Sequence, residues 1–238
     1  MTEPTEPEPH ARTDDTVLVF TGGELMATAP GPLPAAGYVI AADSGLDQAR
    51  LLGYAVDLVL GDFDSVTPDA LAAAEQAGAT VERHPAAKDA TDLELALDAA
   101  LARHPRRVVV VGGHGGRVDH FLSGVLALTR DATAGVDMSA FVGPARAYVV
   151  RDRLAVEGGP GELVTLLAVR GPVTGVSTEG LLYPLHGETL EPGSTRGVSN
   201  EMTGRTAVVT VETGVLLAVL PGELGTHVLG STDTRSTP

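Results

Sequence analysis

An α/β N-terminal domain with a mostly parallel, Rossmann-like sheet, followed by a small all-β sandwich-like domain, is the fold class the 238-residue sequence predicts. Two observations carry this. Up to about residue 145, short β-rich runs alternate with helical stretches, the signature of a parallel α/β sheet. Beyond that point the helical period disappears, and short strand-like runs broken by Gly and Pro suit a sandwich or open barrel.

Taken in order, residues 16–20 (TVLVF) read as a strand and are followed by Gly22-Gly23. A second strand, 38–42 (YVIAA), runs into Asp43 and a helical stretch ending at Leu52. The run 57–60 (DLVL) leads into Gly61-Asp62, and 70–77 is a helix of good formers stopped by Gly78. Residues 91–102 place Leu93, Ala96, Leu97, Ala100 and Leu101 on one helical face. The valine run 108–111 suits a strand buried on both faces. In the second half, AYVV (147–150), LVTLLAV (163–169), AVVTV (207–211) and VLLAVL (215–220) are strand candidates. The predicted organisation is a disordered tail over 1–14, an α/β domain over 15–145, a β-sandwich domain over 146–226 and a flexible tail over 227–238.

Bulk composition narrows the function. The formal net charge is −15, and an acidic surface of that size repels nucleic acid and anionic membranes. The absence of cysteine removes disulfides, thiolate metal sites and a Cys nucleophile. The acidic, Pro-rich start has neither the cationic nor the apolar part of a signal peptide, and no run reaches the ~20 apolar residues that span a bilayer. A cytoplasmic protein is the expectation.

Several predicted strands end in acid: Asp43, then Asp62 and Asp64, with Asp119 in the segment after 108–111. In open α/β sheets ligands bind at the carboxyl ends of the strands, so these acids gather at one edge. Asp62 and Asp64, two residues apart in GDFDS, offer hard oxygen ligands of the kind magnesium uses alongside water and phosphate oxygens. GDFDS is also a good turn sequence. In KDATD, Asp89 or Thr91 suits a helix cap, while Lys88 fits a phosphate contact and Asp92 a further metal or substrate ligand. The segment GGHGGRVDH (112–120) packs four glycines into five residues ahead of a helix start. Such a segment lets backbone N–H groups approach an anion, and Arg117 adds a planar fork for phosphate oxygens. His114 and His120 fit polar orienting roles better than a zinc site.

With these motifs in place, the chain resembles the thiamine pyrophosphokinase family. The resemblance rests on AADSG (41–45), GDFDS (61–65), KDATD (88–92), GGRVDH (115–120), GLLYPL (180–185) and GVSNE (197–201), in the family's order and approximate spacing. It implies an ATP-dependent enzyme that uses Mg2+ and works as a homodimer. Thiamine would lie between the α/β domain of one subunit and the β domain of the other. Asp43, Asp62, Asp64 and Asp92 match the acids that hold magnesium and the diphosphate end of ATP, with Asp62, Asp64 and Asp92 as the catalytic set. Ser44, Gly45, Lys88, Asp89, Gly115, Gly116, Arg117, Asp119 and His120 match nucleotide and phosphate positions. Ser199 and Asn200 match the step associated with the thiamine pocket, with Tyr183 in the preceding strand as a neighbour. GVSN is equally an ordinary turn, and a Tyr before Pro is often a packing residue.

The chain departs from the family pattern twice. Ser44 stands where a first glycine is usual, and Ala87 stands where KDATD is commonly preceded by an acid. The implied reaction is attack of the thiamine hydroxyl on the β-phosphorus of ATP, giving thiamine diphosphate and AMP. A pyrophosphokinase acting on a hydroxymethylpterin would keep the acids but lack the YP and SN features. A nucleotide or thiamine diphosphate sensor would be expected to lose the carboxylates. A purely structural α/β protein has no need of GGHGG followed by Arg and Asp.

Overall fold

The computed structural model describes residues 15–87 and 89–222. Lys88 and the two expected tails, 1–14 and 227–238, lie outside the described residues.

Val17, Leu18, Val19 and Phe20 are all buried, so strand β1 (Thr16–Thr21) forms the middle of a sheet covered on both faces. Strand β2 (Tyr38–Ala42) follows, then helix α1 (Gly45–Leu51), strand β3 (Leu58–Gly61) and helix α2 (Pro68–Gln76). Thr67 caps α2 by accepting from the Ala70 N–H at 3.2 Å, and Pro68 opens it where no N–H is missed. After strand β4 (Thr80–Arg83), helix α3 (Asp92–Leu101) is capped by Thr91, whose hydroxyl accepts from the Glu94 N–H at 3.1 Å. The KDATD cap is therefore Thr91. Strand β5 (Arg107–Val111), helix α4 (Val118–Ala127), a short 3-10 turn (Asp131–Thr133) and strand β6 (Asp137–Val142) complete the first half.

The second half adds strands β7 (Ala145–Val150), β8 (Arg153–Glu157), β9 (Leu163–Ala168) and β10 (Val173–Glu179). It ends with β11 (Glu188–Leu190), β12 (Asn200–Glu201), β13 (Thr206–Thr210) and β14 (Leu216–Leu220). One sheet runs β12-β9-β14-β7-β6-β5-β1-β2-β3-β4, and a smaller one runs β11-β10-β13-β8. From β6 to β4 the large sheet is parallel, while β6–β7, β7–β14, β14–β9 and β9–β12 are antiparallel. The α/β half and the β half thus share one sheet, and the expected boundary near residue 145 falls in the β6–β7 hairpin.

Alternation along β14 shows how one strand serves two cores. Leu217 faces the core under α3 and α4, with Ile40, Leu60, Leu97 and Val108. Leu216, Ala218 and Leu220 face the sandwich core with Val156, Leu166, Val176 and Val209.

Strand order fixes where a ligand fits. From β1 the chain steps outward through β2, β3 and β4, then returns to place β5 on the other side of β1. The connections reverse direction between β1 and β5, and the carboxyl ends of these two strands open a crevice. Gly22-Gly23 and Gly112-Gly113 sit at those ends.

Candidate active site

The crevice is a cleft of about 820 Å³. Its lining includes Gly22 and Gly23 after β1, Asp43 and Ser44 after β2, Asp62, Asp64 and Ser65 after β3, and Gly112–Arg117 after β5 without His114. Asp89 and Asp92 enter from the segment leading into α3, and His120 and Phe121 from the first turns of α4.

The acids converge through two residues held in the left-handed region. Asp43 has φ 47° and Phe63 has φ 61°. Each costs about 1–2 kcal/mol that surrounding structure must offset. At Phe63 the offset is packing: the ring is buried with Leu46, Val59, Val66 and Leu71, and Arg83 lies over it at 5.0 Å. The resulting kink turns Asp62 and Asp64 toward one another, and the Asp64 N–H donates to Asp62 Oδ1 at 3.2 Å. At Asp43 the backbone N–H is tied to the Leu60 carbonyl at 2.8 Å.

One carboxylate oxygen from each of Asp43, Asp62 and Asp64 lies within 4.8 Å of the others. Asp92 flanks this group across Gly61, where a Cβ would stand 3.3 Å from Asp92 Oδ1 and 3.2 Å from the Asp43 Cβ. Gly61 has φ 147°, so a side chain there would be both strained and wedged between two acids. Asp43 Oδ1 is buried with no hydrogen-bond partner among the described residues. Burial raises the Asp43 pKa, the Ser44 N–H opposes that, and the charges of Asp92, Asp64 and Asp62 raise it further. An orphaned carboxylate oxygen beside two more carboxylates, all hard donors, fits a magnesium-type cation.

Ser44 and Gly45 account for one departure from the family pattern. A Cβ on Gly45 would overlap the Phe20 carbonyl, so glycine is required where α1 packs on β1. Ser44 points instead at Gly22, whose missing side chain makes room for the hydroxyl.

On the opposite wall, Gly112, Gly113, Gly115 and Gly116 all have positive φ. The segment is stitched to the chain after β1: the Gly113 N–H donates to Gly22 O at 2.8 Å and the Glu24 N–H to His114 O at 2.8 Å. Arg117 forms a two-point pair with Asp119, Nε to Oδ1 at 3.2 Å and an Nη to Oδ2 at 2.6 Å. Those hydrogen bonds hold the Asp119 carboxyl down to about 2. Arg117 lines the cleft and Asp119 stands behind it as its orienter. His114 turns away toward Glu24, with its Nε2 3.9 Å from Glu24 Oε2.

Tyr183, Ser199 and Asn200 are not among the residues lining the acidic cleft of this chain. Tyr183 was expected in a strand but lies in the turn after β10. Pro184 offers no N–H to extend a ladder, and the Tyr183 main chain is held by a side chain instead. Tyr183 and Ser199 are exposed, and Asn200 is buried.

The cleft also uses residues that sequence motifs did not mark. Gln48 on α1 is fully buried and grips the Met26 main chain, accepting from its N–H at 2.7 Å and donating to its carbonyl at 2.9 Å. It thereby fixes the segment that begins with Gly22-Gly23. The Gly-Gly pair marks that segment in the sequence, but nothing local marks Gln48. Arg130, after α4, bonds Glu94 at 2.8 Å and Asp98 at 2.6 Å on α3, fastening together the two helices that bring Asp92 and Arg117 to the cleft.

Comparison with known proteins adds to this geometry. Residues 33–138 match the model for the thiamin pyrophosphokinase catalytic domain, and residues 153–216 match the thiamin pyrophosphokinase vitamin B1 binding domain. The chain belongs to the thiamine pyrophosphokinase family. A thiamine pyrophosphokinase of Bacillus subtilis is 27% identical over 169 residues, covering 67% of this chain and 75% of that protein. A family relative from Oryza sativa is 23% identical over 73% of this chain and 69% of its own length. The crystal structure of the Bacillus subtilis protein superposes with a TM-score of 0.77 at 24% identity, covering 88% of this chain and all (100%) of that one. A family structure from Enterococcus faecalis gives 0.73 at 25% identity, over 86% and 97% of the two chains. The fold of the family, a mostly parallel sheet with helices followed by an antiparallel β domain, is the fold described above.

Proposed function

We propose that this chain is a thiamine pyrophosphokinase enzyme, transferring the β- and γ-phosphates of ATP as one diphosphate to the hydroxyl of thiamine. Membership of the family supports the reaction. The observation that carries its chemistry is the meeting of Asp43, Asp62 and Asp64 within 4.8 Å at the carboxyl end of the sheet.

Asp43, Asp62, Asp64 and Asp92 would hold Mg2+, which when bound supplies positive charge to phosphate oxygens. Arg117, preset by Asp119, meets further phosphate charge, and N–H groups of Gly115 and Gly116 face the same anion. Ser44, Gly45, Asp89 and His120 shape the nucleotide side, and Lys88 is assigned there as a phosphate contact. The thiamine oxygen bonds to the β-phosphorus as the bond from that phosphorus to the α–β bridging oxygen breaks, and AMP leaves with that oxygen. Asp64 or Asp92 steers the hydroxyl proton. Because the transferred group needs little covalent help, positioning and electrostatics carry the rate.

Thiamine is assigned to the β-half surface bearing Tyr183 and Ser199, with Asn200 beneath it. Since these residues do not line the same chain's acidic cleft, a homodimer that apposes the two surfaces is part of the proposal. An exposed apolar stripe on α4, Val118, Leu122 and Leu126, runs beside the cleft and supports it. Among the described residues no helix is long and apolar enough to cross a membrane. A cytoplasmic location is part of the proposal.

Purified protein given thiamine, ATP and magnesium should produce thiamine diphosphate and AMP in equal amounts. ADP in place of AMP would establish a different phosphoryl transfer. Light scattering should give the mass of two chains.

A further inference from the structure

We propose that Asn200 is a positioning residue for Tyr183 rather than a contact to the substrate. The inference rests on the thiamine reading above and deepens it.

A side-chain amide has two acceptor sites on its oxygen and two donor hydrogens. Asn200 Oδ1 accepts from the Tyr183 N–H at 2.9 Å and from the Glu201 N–H at 2.9 Å. Its Nδ2 donates to the Tyr183 carbonyl at 2.7 Å. Both acceptor sites are used, and the residue is only 4% exposed. Little is left with which to read a ligand.

The surrounding main chain explains why a side chain does this work. The segment after β10 is laid against 200–203 rung by rung. Thr203 N–H donates to Gly180 O at 2.9 Å, Leu181 bridges Met202, and Leu182 N–H donates to Glu201 O at 2.8 Å. Tyr183 would need the next rung, but Ser199 sits at φ 54° and turns the chain aside, its N–H going to Thr165 Oγ1 at 3.0 Å. The Asn200 amide therefore stands in for a backbone amide, with an N–H and a C=O presented to one residue as an antiparallel partner presents them. Pro184 follows immediately and stiffens the exit.

The consequence is an aromatic side chain held outward on a fixed backbone. Tyr183 is 57% exposed, and Leu182 and Val198 are exposed as well. A ring whose main chain is already ordered loses less freedom when a substrate meets it.

The test is steady-state kinetics with thiamine and ATP varied separately, on wild type, Asn200→Ala, Tyr183→Ala and the double variant. Asn200→Ala should raise KM for thiamine about tenfold, as expected when two amide hydrogen bonds to an ordered loop are lost, and leave KM for ATP within about twofold. The double variant should be no worse than Tyr183→Ala alone. Losses that multiply in the double variant would overturn the proposal, since Asn200 would then act independently of Tyr183. A lowered Tm with unchanged thiamine KM would overturn it equally. If Asn200→Ala does not fold, Asn200→Asp keeps the acceptor, loses the donor, and should show the same thiamine-selective shift in smaller measure.

Hydrogen exchange at the Tyr183 amide is read without any reaction. Protection there should vanish in Asn200→Ala while the Leu166 and Val209 amides stay protected, and retained protection would refute the clamp. Wild-type protein that shows this clamp but makes no thiamine diphosphate would defeat the functional reading and not the structural one.

Discussion

The acidic edge of the α/β half and the loop surface of the β half are built on different logic. At the acidic edge, side chains follow directly from strand ends: Asp43 leaves β2, and Asp62 and Asp64 leave β3. The sheet aims them, and left-handed turns at Asp43 and Phe63 complete the convergence. On the β half, the exposed residues are aimed by stitching between segments far apart in sequence, as where Asn200 holds Tyr183. The carboxylate cluster is set by the ends of two neighbouring strands, β2 and β3, whereas the exposed surface of the β half has a shape that depends on a buried amide. Gln48 shows that the α/β half uses the same device to hold an irregular segment, the one around Met26.

The sharpest way to break this contrast is Asp62→Asn. It keeps the shape of the edge and removes one ligand charge, so kcat should fall by roughly a thousandfold with the fold intact. Near-normal turnover at saturating magnesium, with circular dichroism unchanged, would remove Asp62 from the site. Next in size are Leu97→Ala under α3 and Leu166→Ala in the sandwich core, each fully or nearly fully buried. Each should cost about 3 kcal/mol. Because one sheet serves both cores, urea unfolding should show a single transition that both substitutions shift, and two separate transitions would divide the halves.

Gln48→Ala should cost about 2 kcal/mol by leaving the Met26 main chain without its buried partner. It should raise KM for ATP and spare KM for thiamine, the mirror image of the Asn200 variant. The smallest effect is expected for Asp43→Asn in metal-free protein. The Asp43 carboxyl binds its proton more tightly folded than unfolded, so its ionised form works against folding at neutral pH. The substitution should stabilise by less than about 1 kcal/mol at pH 7, because Asp43 is only half-buried and water screens its charge. That advantage should shrink as pH falls toward the ordinary aspartate range, where wild-type Asp43 becomes protonated in both states. Urea midpoints in chelator at pH 7 and pH 5 measure it, and Asn suits the φ of 47° there.

Much of the α/β half could be read from local pattern. Strands β1, β2 and β5 are apolar runs buried on both faces, and α3 begins and ends within one residue of its predicted limits. Strand β4 gave no such pattern because it is an edge strand, paired only with β3, and its TVER sequence is largely exposed. Strand β10 is masked by Gly175 and by a register shift between Val173 and Val176. Asp43, Asp62 and Asp64 stood out because each follows a strand, and Asp92 because it lies in KDATD at the start of a helix. Gln48 left no local trace, since its partner is 22 residues away and a glutamine in a helix carries no period. Asn200 lay within a recognised motif, yet only the hydrogen bonds to Tyr183 reveal what its amide does.

The hairpin that joins β6 to β7 carries a ladder of backbone hydrogen bonds straight across the middle of the chain. A girder of ten strands does not bend at its midpoint without shearing that ladder, so a clamshell closure of one half upon the other is closed to this architecture. Admission and release of substrates therefore fall to the lips of the crevice, the glycine-bearing segments after β1 and β5.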